Sequence, residues 1–181
     1  AGAVTDSGTL AITGATTISA SGQDITLDEA ASTFGTLALT GANVAVTDAG
    51  AVDLGASTVS GTLGIISAGA VTDSGTLAIT GATTISASGQ DITLDEAAST
   101  FGTLALTGAN VAVTENAATD LGASSLSGTL GITSAGAVTD SGTLAVTGAT
   151  TISASGQDIT LDESASTFGT LALTGANVAV T

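Results

Sequence analysis

The chain has 181 residues and a formal charge of −16, with 16 Asp or Glu and no Lys, Arg or His. That balance excludes the usual Lys- and Arg-driven release of phosphate counterions on nucleic acid and disfavours anionic membrane surfaces. The absence of Cys excludes disulfides and thiolate metal sites. Apolar residues make up 43 % of the chain, too many for a simple disordered segment, yet no continuous run approaches the roughly 18 residues of a membrane helix.

AGAVTDSGTL opens at Ala1, Ala68 and Ala135, so the chain repeats every 67 residues. Residues 1–47 recur unchanged at 68–114, and at 135–181 with two changes, Ile12 to Val146 and Ala30 to Ser164. Residues 48–67 return more loosely as 115–134, with Val52 matched by Thr119, Val59 by Leu126 and Ile66 by Thr133. The organisation is therefore repeat 1 at 1–67, repeat 2 at 68–134 and an incomplete repeat 3 at 135–181. A fixed period of this size signals stacked modules within one continuous solenoid.

In chain order, Thr9–Thr13, Asp24–Asp28, Thr36–Thr40 and Asn43–Thr47 each alternate a branched apolar residue with a small or polar one. Strict alternation is the signature of a strand with one buried face. Leu10, Ile12, Ile25, Leu27, Leu37, Leu39, Val44 and Val46 are the expected inward set. A helix is excluded because the apolar spacing is two and Gly recurs too often for a helix interior. Asn-Gly and Asp-Gly hairpin turns are absent; a single Gly separates the runs instead, as at Gly14, Gly22 and Gly41. The expected fold is all-β: a parallel β-solenoid, three-sided, with about 22 residues per coil and three coils per repeat.

GQDITLDE places three carboxylates in eight residues, at Asp24, Asp28 and Glu29, and again at Asp91, Asp95 and Glu96 and at Asp158, Asp162 and Glu163. In a strand Asp24, Thr26 and Asp28 share the outward face, opposite Ile25 and Leu27, and Glu29 falls at a corner. With three coils per repeat, equivalent acids lie about 14 Å apart, beyond the screening length of about 8 Å at physiological salt. On this reading all the acids are solvated and well separated, and they keep rods soluble and apart.

A sharper reading makes these nine residues, with Asp48 or Asp53, ligands of a calcium site. Ca²⁺ takes six to eight oxygens, and no EF-hand string or GGxGxD repeat supplies them locally. Diffuse counterions over an acidic face are the simpler reading, with no cofactor. Catalysis is not expected. Without His, Cys, Lys, Arg or Tyr most nucleophile–base pairs are missing, and the adjacent carboxylates of Asp28 and Glu29 diverge to opposite faces. Outward threonines such as Thr9, Thr13, Thr36 and Thr40 would suit ordered water, as on an ice-binding surface. Phe34, Phe101 and Phe168, the only aromatics, are expected to fill a wide corner of the core.

The GTLALTGANVAVTDAG texture, running through essentially the whole chain, resembles the repetitive stalks of filamentous-haemagglutinin-like adhesins and autotransporter passenger domains of bacteria. The resemblance implies a right-handed β-helix, secretion to the cell surface, and adhesion or matrix roles. No secretion domain, Asn-rich ladder or receptor motif accompanies it, and no binding residue carries over. The expected function is a structural extracellular filament or stalk of a surface adhesin, without catalysis, nucleic-acid binding or membrane insertion. The alternative is a binding solenoid that takes ice, calcium or glycan on outward Thr or Asp rows. Neither terminus reads as a cap, so the expected partners are further copies stacked end to end or the continuation of a longer chain.

Overall fold

The computed structural model describes residues 2–181. Among them are twenty-two strands and no helix. Every strand pairs in parallel with strands one coil away. The protein is an all-β parallel β-solenoid of about nine turns.

The alternation seen in the sequence sets the inside of the coil. Ile25 and Leu27, Leu37 and Leu39, and Val44 and Val46 are all buried, while the residues between them face outward or are half-covered. Leu10 and Ile12, in the first coil, are only partly buried but pack on the same core. That core is one continuous aliphatic column, joined by Phe34 and Phe101 as expected. Burial of such side chains supplies about 25 cal/mol per Å² of apolar surface, the main term that holds the coils together.

The corner before each acidic strand is a turn closed by the Gln23 N–H on the Ala20 carbonyl, 2.8 Å. Gly22 stands at the third position with φ +72°, as do Gly89 and Gly156 in the other copies. This is the position of a type II turn that demands a left-handed residue. Gly14 is not a corner. It lies within the strand Ala11–Ser19, where the register to Thr33–Gly41 slips between Ile12 and Ala15.

The coil length differs from expectation. Paired residues lie from 17 apart (Thr36 with Asp53) to 22 apart (Ala78 with Thr100). The reason is a change of faces. The long strand Thr33–Gly41 carries two strands above it: Thr36 and Leu37 pair with Asp53 and Leu54, whereas Thr40 and Gly41 pair with Thr58 and Val59. Meanwhile Val44–Asp48 lies above Ile25–Leu27 and also reaches the next segment, where Ala49 N–H bonds the Ser32 carbonyl. One face divides while two others fuse, and the coil shortens. Repeat 2 does the same at Thr103–Gly108, which carries Thr119–Leu121 and Ser124–Leu126.

The repeat is therefore not three coils long. Partners traced from Val4 run through Ile25, Val44, Leu63, Thr83 and Leu104. They continue to Leu121, whose strand pairs with Val138–Asp140. Seven coils thus join Val4 to Val138, two repeats on, or three and a half coils per repeat. Val71, one repeat on, stands in a different column, between Val52 and Ile92. Equivalent residues of neighbouring repeats face different sides of the rod.

Candidate functional site: the acidic strand and its stacked neighbours

Ile25–Leu27, Ile92–Leu94 and Ile159–Leu161 each bury Ile and Leu and half-cover the Thr between them. Asp24, Asp28, Asp91, Asp95, Asp158 and Asp162 are exposed, as strand parity requires, and Glu29, Glu96 and Glu163 are half-buried at the corner.

The outward acids are hydrogen-bonding parts of the coil. Asp24 Oδ1 accepts from both the backbone N–H and the side-chain amide of Asn43, each at 3.0 Å. Asn43 Oδ1 accepts in turn from Thr62 N–H at 3.1 Å and Thr62 Oγ–H at 3.2 Å. Asp91, Asn110 and Thr129 repeat the ladder, and Asp158 with Asn177 begins it a third time. Each rung satisfies corner N–H groups that the parallel strands leave unpaired.

A second set stacks beside it. Asp73 Oδ1 accepts from Asp95 N–H at 2.9 Å and Oδ2 from Glu96 N–H at 3.4 Å. Asp6 and Asp140 hold the N–H groups of Asp28 and Asp162 in the same way. These acids sit on adjacent coils, which overturns the expectation that all carboxylates are well separated. Burial is the largest influence on the Asp73 carboxyl and pushes it above its ordinary value of 3.8. The two backbone bonds pull it down, and the charges of Asp95 and Glu96 push it up again.

Nor are all sixteen carboxylates wet. Asp48 and Glu115 are each only 2 % exposed. Asp48 accepts from Phe34 N–H at 2.9 Å and Gly50 N–H at 2.7 Å. Glu115 accepts from Phe101 N–H and from Thr119 Oγ–H, both at 2.8 Å. These acids sit where two faces fuse into one and leave the Phe amide without a strand partner. A signal for them stood in the sequence: Val44, Val46 and Asp48 share one parity, as do Val111, Val113 and Glu115.

Burial holds the Glu115 carboxyl above its ordinary value of 4.5, against the opposing pull of its two hydrogen bonds. The native state therefore binds this proton more tightly than the unfolded chain, and stability falls as pH rises. The loss begins near the unfolded value of 4.5 and is complete above the raised folded one. Glu115→Gln keeps an acceptor for Phe101 N–H and removes the charge. Urea midpoints at pH 4 and pH 7 are expected to differ less for the variant than for the parent. An unchanged difference would show that Glu115 does not contribute to the slope.

The residues proposed from sequence as cation ligands are not gathered. Among the described residues no group of three or more His, Cys, Asp or Glu is placed to hold a metal ion. Asp48 is turned into the core, and Asp53 takes the hydroxyls of Thr36 at 2.8 Å and Ser74 at 2.6 Å. Threonine rows are broken on one column, where Thr26 is followed by Ala45, Gly64, Thr84 and Ala105. On another, Thr114, Thr133, Ser153 and Thr174 form an unbroken hydroxyl row.

A protein-family model described as "Repeats of unknown function (DUF5649)" matches residues 1–40, 41–107 and 108–179. No curated protein and no solved structure matches the chain.

Proposed function

From a chain that belongs to the DUF5649 repeats, we propose a structural role: a rod segment of a repetitive, surface-exposed extracellular fibre or adhesin stalk, without catalysis. The observation that carries this reading is the single aliphatic column that threads the parallel-stacked coils from Val4 to Leu173. Such a module has no intrinsic length, because each coil contacts only its neighbours and further repeats extend the same core. The acids suit the role. Those in the ladders are spent on backbone N–H groups, and the net charge of −16 opposes sideways association. A chain without Lys or Arg also offers no trypsin site, which fits an extracellular location. The stalk and its surface location rest on the resemblance of the repeat texture to bacterial exoproteins.

Three and a half coils at about 4.8 Å each make one repeat about 17 Å long. Chains carrying one, two and four additional 67-residue repeats are expected to lengthen by about that amount per repeat at constant cross-section, read by small-angle scattering and electron microscopy. Particles that thicken instead of lengthening would overturn the rod. A second reading, binding of ordered water or glycan, is favoured by the hydroxyl row Thr114, Thr133, Ser153 and Thr174 alone.

A further inference from the structure

One outward face in the middle of the rod is hollowed by a glycine that the fold does not need. Gly64 lies inside the strand Leu63–Ser67 and faces outward, between the buried Leu63 and Ile65. A Cβ there would meet only the Val44 carbonyl, at 3.8 Å, an ordinary contact, and its φ is not positive. Corner glycines such as Gly61 and Gly81 differ, because a Cβ at either would overlap the coil beneath. Gly131, in the second copy of the strand, is open in the same way, with the Val111 carbonyl at 3.6 Å. Glycine inside a strand weakens it and often marks a place where a ligand or another chain approaches. At Gly64 the missing side chain leaves a groove of about 380 Å³ across four stacked coils. Ala45 and Thr84 flank Gly64, and Ile66, 58 % exposed, walls one side. Among the described residues Asp28 is the only charged residue that lines it. Asp28 N–H bonds Asp6 on the coil below, and Ser86 pairs with Thr107 on the coil above, so the groove lies within the stack and not at its end.

We propose that this groove docks a basic segment of another polypeptide, in which an aliphatic side chain stands beside a Lys or Arg. The aliphatic group fills the space over Gly64, against Ile66. The cation reaches Asp28, which stands two coils from Ile66 in the same column, about 10 Å away. The stem of the cationic side chain covers apolar surface on the way, as long basic side chains do. The backbone groups of these strands already pair with neighbouring coils, so side chains carry the recognition. Charge selects the occupant. A chain of −16 without Lys or Arg attracts a cationic partner and repels a second copy, which would bring no cation to Asp28.

Failure of this docking would leave the lengthening of the rod with added repeats untouched. The probe is the synthetic peptide acetyl-Ala-Leu-Lys-Ala-Leu-Lys-Ala-amide, titrated into the 181-residue chain and followed by amide chemical shifts. A control peptide carries Ser in place of each Leu and the same charge. The Leu peptide is expected to shift the amides of residues 45–47, 64–66 and 84–86, and to bind roughly tenfold more tightly than the control. Ile66→Thr introduces the residue that Thr133 supplies at the matching position of repeat 2, so the fold is retained. It is expected to weaken binding roughly five- to tenfold. Asp28→Asn is expected to weaken it roughly two- to fivefold, and Gly64→Leu to abolish it by filling the space. Absence of binding would overturn the proposal. Equal binding of the two peptides, or shifts spread along the rod, would assign the attraction to net charge alone and overturn it too. So would binding that survives both Ile66→Thr and Gly64→Leu. Concentration-dependent self-association that Ile66→Thr abolishes would assign the groove to a second copy, again against the proposal.

Discussion

Leu104→Ala is expected to destabilise the protein by about 2–5 kcal/mol, the range for emptying a buried Leu site. The same change at Leu171 is expected to cost within about 0.5 kcal/mol, as at a surface position. The two residues have the same six neighbours on either side in sequence, and both point inward from the same kind of strand. They differ in what lies above. Leu104 pairs with Thr83 on one side and Leu121 on the other and has no exposed surface. Leu171 pairs with Thr150 and is 39 % exposed. Leu104 also sits on the strand that divides to carry Thr119–Leu121 and Ser124–Leu126, so a void there loosens two strands at once. In a solenoid the loss is felt at the interfaces a coil makes, and Leu104 stands between two of them. Urea unfolding of both variants is the measurement. Equal midpoints would mean that the coils do not contribute through their stacking, and the energetic account of the rod would fail with them.

Alternation was enough to read the strands and their inward residues, and the absence of Asn-Gly and Asp-Gly turns between them pointed to parallel stacking. Ile25, Leu27, Leu37, Leu39, Val44 and Val46 are all where period two puts them. The coil boundaries were hidden because the repeat and the coil are incommensurate: 67 residues make three and a half turns. A repeat therefore cannot be divided into whole coils by inspection. The side-chain ladder was legible in principle, since Asp24, Asn43 and Thr62 stand 19 residues apart in succession. It is recognisable only once 19 is known to be a coil, and neighbouring coils have other lengths. The inward turn of Asp48 and Glu115 follows from parity, but a carboxylate at a core position reads as a corner until something buried needs it. What needs it is the amide of Phe34 or Phe101, stranded by a fusion of faces that no local sequence pattern reports.

Gly142→Ala and Gly8→Ala should shift stability in opposite directions, although both glycines lie in the same Asp-Ser-Gly-Thr-Leu string. A Cβ at Gly142 would overlap the backbone nitrogen of Ala123 and come within 2.8 Å of its Cα and 2.9 Å of the Gly122 carbonyl carbon. Gly75, one repeat earlier, meets Ala56 and Gly55 in the same way. These are backbone atoms of the coil below, so no rotamer change can make room. The coils must part at that corner, and hydrogen bonds such as Ser141 N–H to the Leu121 carbonyl, 2.9 Å, stretch with them. Overpacking of this kind costs about 1–3 kcal/mol, and the upper end is expected where the obstacle is main chain. Gly8 has nothing within 4 Å of the same position, and its φ is not positive. There Ala only narrows the unfolded ensemble, which stabilises by about 0.4–1 kcal/mol. The contrast separates contact with a stacked coil from any intrinsic need for glycine in the string. Thermal or urea unfolding of the two variants decides it: if both lose stability alike, the glycine is required by its own backbone, and the close approach of coils at this corner is not what selects it.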